Sequence, residues 1–175
     1  LYCNTVEWIK GGYVDYVNPQ IYWSTQVAAQ DYDALCQWWS TSVCEHFSNQ
    51  LPNQKRVHHF PSLATYKAIQ KNDGTYYSGY SDGYVEIQRE LDANRKNLSS
   101  GYTGAVFYNT TSYLQMSEEL AESHFTHTAL APPMEWKVKG NLAAPTNLQL
   151  SGTTLSWQHP TAERFTVYAY PKGIG

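Results

Sequence analysis

The run from Gly12 to Trp23 is the sequence feature that most constrains how this chain can fold. On a β-strand, successive side chains point to opposite faces of the sheet. The run separates in this way into one face with Val14, Tyr16, Asn18, Gln20 and Tyr22 and another with Asp15, Val17, Pro19, Ile21 and Trp23. The second face is apolar after Asp15, whereas the first becomes polar towards its carboxyl end. This pattern predicts a parallel strand with helices packed on one side and a polar mouth at its end.

The end of this strand supplies the first candidates for a binding site, Asn18, Gln20, Tyr22 and Trp23. Ligands of barrels and open α/β sheets lie at the carboxyl ends of the strands. The two amides can donate and accept hydrogen bonds, which suits sugar hydroxyls, and the aromatic rings offer stacking faces. Alternatively, both amides only satisfy buried backbone groups at the strand end.

Two further strands are predicted at 56–64 and 102–109, and each precedes a helical pattern. Strand–helix units in succession predict an α/β fold with a parallel sheet and right-handed crossovers. Sequential strand order then brings Tyr66 and Asn109 to the same mouth as Gln20, which completes the predicted site.

The helices between these strands are predicted from caps and periodicity. The first begins near Asp31 and ends before Pro52, because proline blocks continuation. The second begins at Ser81 or Asp82. It is expected to carry Val85, Ile87 and Leu91 on one side and Glu86, Arg89 and Glu90 on the other.

A different pattern begins after Pro133. The helical period disappears, and strict alternation predicts short strands at 146–150, 153–157 and 165–168. Short alternating strands with turns between them are typical of the beginning of a β-sandwich. A complete sandwich of this kind has about seven strands in ~100 residues. The sequence therefore predicts a truncated second domain over residues 134–175, after a first domain over residues 1–133.

Composition narrows the class of function. A net charge of -3 gives no electrostatic argument for binding nucleic acid or anionic membrane. The 15 tyrosines and 6 tryptophans can stack on sugar faces, although many aromatic rings serve the core instead. No stretch is apolar enough for a membrane span.

Cys36 and Cys44 lie ~12 Å apart on the predicted helix, which exceeds the reach of a disulfide.

The sequence gives no convincing catalytic or metal centre, and no cofactor is expected. Glycoside hydrolysis usually needs two carboxylates ~5–10 Å apart across a cleft. The candidates Asp15, Asp73, Asp82 and Glu86 are better explained by an ion pair, a turn, a helix cap and a helix dipole. Of His58 and His59, at most one reaches the mouth, because neighbours on a strand point to opposite faces. Cys44 near His46 is better explained as a buried structural thiol.

The run Gly12–Trp23, together with 33–39, 86–95 and 104–108, resembles the glycosyl-hydrolase-like 10 family of bacterial envelope proteins. The resemblance covers residues 1 to about 133. It implies the last three or so strand–helix units of a (β/α)8 TIM barrel, with the catalytic acids upstream. Residues 143–175 are similar to the first strands of a fibronectin type III-like module. The sequence departs from the family pattern at His59–Pro61 and Asn109–Thr111, which leaves the substrate open.

The resemblance implies that the intact protein hydrolyses a polysaccharide, with peptidoglycan glycan strands as the leading candidate. It also implies that the protein is secreted or lies in the bacterial cell envelope, as a periplasmic protein or lipoprotein. This fragment alone is expected to be inactive. The alternative is a non-catalytic glycan-binding or surface-adhesion protein on a degenerate barrel. A partial barrel leaves open sheet edges. We expect self-association, or other chain segments, to cover them.

Overall fold

The computed structural model describes residues 3–96, 104–127, 129, 131–137 and 143–167. The chain forms two compact units, Leu1–Trp136 and Lys137–Gly175. Each unit is described by itself below.

The first unit is a mixture of helices and short parallel strands. Its helices are α1 (Thr5–Lys10), α2 (Tyr32–Gln37), a π-helical segment (Trp38–Glu45), α3 (His46–Ser48), α4 (Tyr84–Lys96), α5 (Thr110–Tyr113) and α6 (Ser117–Ser123). Its strands are β1 (Tyr16–Val17), β2 (His58–His59), β3 (Ser62–Leu63) and β4 (Val106–Phe107). Single 3₁₀ turns cover Ala28–Gln30, Pro52–Gln54, Thr65–Ala68 and Glu135–Lys137.

The strands pair in parallel and in chain order, as the sequence predicts. Strand β1 pairs with β2, and β3 pairs with β4. A further parallel bridge joins Gln20 to Ser62, so the run that begins with β1 borders both β2 and β3. Pro61 separates β2 from β3, because proline has no N–H to donate to the ladder.

The predicted alternation along the first strand run is also present. Asn18 and Gln20 are exposed, whereas Ile21 is buried. Ile21 packs in a cluster with Tyr32 and Cys36 of α2. The apolar face of the strand run therefore meets α2, whereas Asn18 and Gln20 on the other face stay exposed.

Among the described residues, the buried apolar side chains form three clusters. One lies beneath α4 and contains Leu63, Tyr80, Ile87, Leu91, Met116 and Leu120. A second joins α1 to the π-helical segment through Ile9, Val43, Cys44 and Val57. The third contains Ile21, Tyr32, Cys36 and Ala93. Helix α4 contributes to the first and third clusters and thus connects the strand ends to α2.

The second unit contains an antiparallel hairpin of β5 (Thr146–Ser151) and β6 (Thr154–Gln158). Gly152 in the turn has φ +59, a conformation that glycine adopts without strain. Trp157 contacts Phe165 with ring centroids 5.2 Å apart. Residues 165–167 are irregular rather than the predicted third strand, and Tyr168 lies outside the described residues. In the described part of the chain, no helix is long and apolar enough to cross a membrane.

The cysteines give the first test of this fold. Burial, and then the Asp33 carboxylate, raises the pKa of Cys36 to about 12, and burial alone raises the pKa of Cys44 to about 12. Cys3 is exposed. Because the thiolate is the reactive form, a thiol reagent added to the folded chain should label Cys3 alone. Peptide mass mapping before and after denaturation measures this, and labelling of Cys36 or Cys44 in the folded chain would contradict the packing.

Candidate functional site

The candidate site lies where the parallel strands end. Gln20 forms a parallel bridge with Ser62, and Ser62 pairs with Val106 on the next strand. Because parallel strands run in one direction, the residues that follow each of these positions lie at the same edge of the sheet. The carboxyl-end residues of all these strand runs therefore meet at this edge.

Four tyrosines form one cluster there, which we call the tyrosine cluster: Tyr22, Tyr66, Tyr77 and Tyr108. The rings of Tyr22 and Tyr108 are stacked, with centroids 5.9 Å apart and an interplanar angle of 25°. The ring of Tyr66 meets Tyr22, Tyr77 and Tyr108 edge-on at 6.2, 5.6 and 6.1 Å. Partial burial, and then the neighbouring phenols, raises the pKa of Tyr66. The exposed fractions of Tyr77 and Tyr108 are 38% and 53%, so part of the cluster faces solvent.

Beside the cluster is a cavity of about 210 Å³, which we call the strand-end cavity. Its lining residues are Tyr22, Trp23, Ser24, Val27, Gln30, Lys67, Tyr77, Ser78 and Tyr80. The Lys67 ammonium donates to the Tyr22 carbonyl at 2.5 Å and lies 5.8 Å from the centre of the Tyr80 ring. The cavity therefore combines aromatic walls with hydroxyls, an amide and a cation.

The predicted site residues divide between this surface and structural roles. Tyr22, Trp23 and Tyr66 line the cavity or join the tyrosine cluster. Asn18 donates through its amide to the Phe60 carbonyl on the adjacent strand, which is the structural alternative considered from the sequence. Gln20 is exposed on the same strand run, at the bridge to Ser62.

Asn109 has a structural contact that the sequence prediction did not include. Its side-chain oxygen accepts a hydrogen bond from the Ser112 N–H at 3.0 Å. In return, the Ser112 hydroxyl accepts a hydrogen bond from the Asn109 N–H at 3.2 Å. This is a reciprocal capping box at the start of α5. The side chain of Asn109 is thus oriented towards a helix end at the same sheet edge.

Tyr108 and Lys67 are not among the site residues predicted from the sequence. Tyr108 lies directly before Asn109, at the end of the third strand run, so the rule that selected Asn109 could have selected it too. Lys67 follows Tyr66 in a 3₁₀ turn that the sequence did not predict, and nothing in the local pattern distinguished it from a solvated lysine.

A buried carboxylate fixes the loop that follows the first strand run. Glu86 Oε1 accepts from Ser24 Oγ at 2.9 Å and from the backbone and hydroxyl of Thr25 at 2.6 and 2.8 Å. Its Oε2 accepts from Gln26 Nε2 and Arg89 Nη1, both at 3.0 Å. Because residues 24–26 directly follow Trp23, Glu86 sets the path of the chain on one side of the strand-end cavity.

The prediction that Glu86 and Glu90 lie on the opposite side of α4 from Ile87 and Leu91 is wrong. Glu86, Glu90 and Asn94 are spaced four apart, so they form a stripe on one face of the helix, and all three are completely buried. Tyr80 donates to Glu90 at 2.8 Å, and Tyr32 donates to Asn94 at 2.8 Å. Buried polar groups need such partners, and these come from distant segments that the helical pattern does not show.

The other sequence candidates are structural in this fold. Asp15 pairs with Lys55 at 3.2 Å and accepts from the Trp136 indole at 3.0 Å, as the ion-pair interpretation predicted. His58 contacts the Pro133 carbonyl at 3.0 Å. His59 is buried, and burial lowers its pKa to about 4. Over the residues that the structure describes, no group of three or more His, Cys, Asp or Glu side chains could hold a metal.

Comparison with known proteins identifies relatives of this chain by sequence. Residues 1–68 match the family model described as glycosyl hydrolase-like 10. The chain is 31% identical over 138 residues to the glycosyl hydrolase YngK of Bacillus subtilis (strain 168), an alignment that covers 78% of this chain and 24% of the relative. It is 30% identical over 93 residues to the glycosyl hydrolase DigH of Escherichia coli (strain K12), covering 53% of this chain and 19% of the relative.

These matches confirm the resemblance to the glycosyl hydrolase-like 10 family, whose model matches residues 1–68. The chain spans about a quarter or less of the length of the curated relatives that it matches.

The contacts of Glu86 predict that a small substitution there lowers the stability of the fold. Glu86→Gln keeps the shape but places an amide nitrogen against donors and removes the charge opposite Arg89. Losing hydrogen bonds to a buried carboxylate costs about 1–3 kcal/mol, so the free energy of unfolding should fall by about 2 kcal/mol. Urea unfolding measures it. The control Glu122→Gln changes an exposed carboxylate on α6 and should be nearly neutral; equal effects of the two changes would contradict the role of Glu86.

Proposed function

We propose that this chain is part of a (β/α)8 barrel of a glycoside-hydrolase-like protein and that its tyrosine cluster binds sugar units of a polysaccharide. The observation that carries the proposal is the meeting of Tyr22, Tyr66 and Tyr108 at the carboxyl edge of parallel strands. Partly exposed aromatic rings beside a small polar cavity suit a ligand with apolar faces and a hydroxyl rim. Both relatives carry the name glycosyl hydrolase.

The finer parts of the proposal rest on family resemblance. The leading polysaccharide is the glycan strand of peptidoglycan, and the setting is the bacterial cell envelope or the exterior of the cell. The catalytic carboxylates belong to another part of the protein. The hairpin β5–β6 belongs to a fibronectin type III-like module. The remaining strands of the barrel, or a second copy of the chain, cover the open sheet edges.

A second candidate function is glycan binding without catalysis. It is favoured by the lining of the strand-end cavity, where the described residues include no carboxylate. The two candidates share the sugar-binding surface and differ only in whether carboxylates from elsewhere complete it.

Binding is the first test. The 175-residue chain should bind soluble β-1,4-linked N-acetylglucosamine oligosaccharides, and Tyr108→Ala should weaken that binding by about tenfold through loss of ring stacking. Tyr108→Phe should bind almost as well as the native chain, because it keeps the ring. Tyr13→Ala is the matched control, since Tyr13 is 80% exposed and precedes β1 at the other end of the strand run. Titration calorimetry measures all four proteins, and absence of binding by the native chain would refute the proposal.

Activity is the second test. The chain alone should release no new reducing ends from purified peptidoglycan glycan strands, because the described lining of the strand-end cavity holds no carboxylate and Asp15, Asp82 and Glu86 are held in ion pairs. Reducing-end assays over several protein concentrations check this expectation. If the chain does release them, and Asp82→Asn abolishes the release while circular dichroism shows an unchanged fold, then the catalytic acids lie within this chain and the assignment is wrong.

A further inference from the structure

The strand-end cavity has an unbalanced positive charge. Among its described lining residues, Lys67 is the sole charged side chain. A second cation lies close by, because the Lys71 ammonium is 4.5 Å from the centre of the Tyr77 ring. An ammonium has three N–H donors, and Lys67 directs one of them to the Tyr22 carbonyl. The other two N–H groups can serve as donors to an acceptor bound in the cavity.

The nearest acidic groups do little to cancel this charge. Glu86 is paired with Arg89 at 3.0 Å and accepts from the Ser24–Gln26 loop. Glu90 interacts with Lys67, but burial raises the pKa of Glu90 well above its ordinary value, which favours the uncharged acid. Burial lowers the pKa of Lys67, and Glu90 opposes that shift. The ammonium also has the Tyr22 carbonyl as an acceptor and the Tyr80 ring beside it, and both contacts favour the cation.

The size of the cavity limits what can fill it. A volume of about 210 Å³ lies below the ~300–1,000 Å³ of typical ligand pockets. A cavity of this size suits one unit of a chain rather than a whole oligosaccharide. The aromatic walls then contact the face of that unit, and the ammonium meets a substituent.

We propose that the strand-end cavity selects a sugar unit with an anionic substituent, a carboxylate or a sulfate, and that Lys67 is the residue that recognises it. This inference rests on the proposed function, since it names the kind of polysaccharide that the site takes. The peptidoglycan glycan strand fits it wherever the lactyl carboxyl group of its alternate sugars is free rather than amide-linked to a peptide.

The first experiment uses the native 175-residue chain and three oligosaccharides of equal length on one backbone: neutral, carboxylated and sulfated. At least one anionic form should bind about tenfold more tightly than the neutral form, as expected for a charge-assisted hydrogen bond. The preference should shrink as salt is raised. Comparison of the two anionic forms identifies the substituent. Equal binding of all three would overturn this inference and leave the proposed function intact, whereas binding of none would overturn the proposed function itself.

The second experiment assigns the preference to Lys67. Lys67→Met should remove the difference in affinity between anionic and neutral sugars. Lys67→Arg should retain most of the preference. Lys10→Met is the matched control, because Lys10 also lies over an aromatic ring, 5.0 Å from the centre of Phe47, but contacts another cluster. If Lys67→Met keeps the full preference, or Lys10→Met removes it, the assignment is overturned. Circular dichroism confirms the fold of each variant.

Discussion

Parallel backbone pairing is the constraint on which the candidate site depends. The Ser62 N–H donates to the Pro19 carbonyl at 2.9 Å, and the Tyr108 N–H donates to the Leu63 carbonyl at 2.9 Å. These bonds fix which residues stand level across the sheet. A slip of one residue would turn every side chain of a strand to the other face. The stacking of Tyr22 on Tyr108 therefore exists only in this register, and so does any sugar surface made from these rings.

The second support for the site is the polar stripe of α4. Glu86, Glu90 and Asn94 occupy positions that usually bury apolar side chains, and each is held by donors from a different part of the chain. Such buried contacts are costly to break but specify one arrangement. The stripe thereby ties the loop after the first strand run, Tyr80 and α2 to a single helix. The walls of the strand-end cavity are consequently fixed by packing beneath them.

The sequence predicted the parallel strand order and the convergence of strand ends because both follow from alternation and chain order. It placed Tyr22 and Tyr66 at the mouth for that reason. It could not show the partners of Glu86, because a glutamate in the first turn of a helix is normally explained by the dipole. Lys67 was missed in the same way, since its cavity is made by Tyr22, Tyr77 and Tyr80, which meet only after folding. The local sequence pattern predicts which side chains share a face of a strand and where the strand ends. The charge balance of a site depends instead on residues that are distant in the sequence.

The most direct test of this account is the distance between tyrosine rings in solution. The rings of Tyr22 and Tyr108 come from different strands and lie 5.9 Å apart between centroids. A chain with labelled tyrosine rings should show nuclear Overhauser contacts between these two residues and from Tyr66 to each of them. Tyr13 should show no contact with any of the three. Contacts in this pattern would establish the carboxyl-edge cluster. Assigned ring signals of Tyr22 and Tyr108 without a mutual contact would contradict the register and the site built on it.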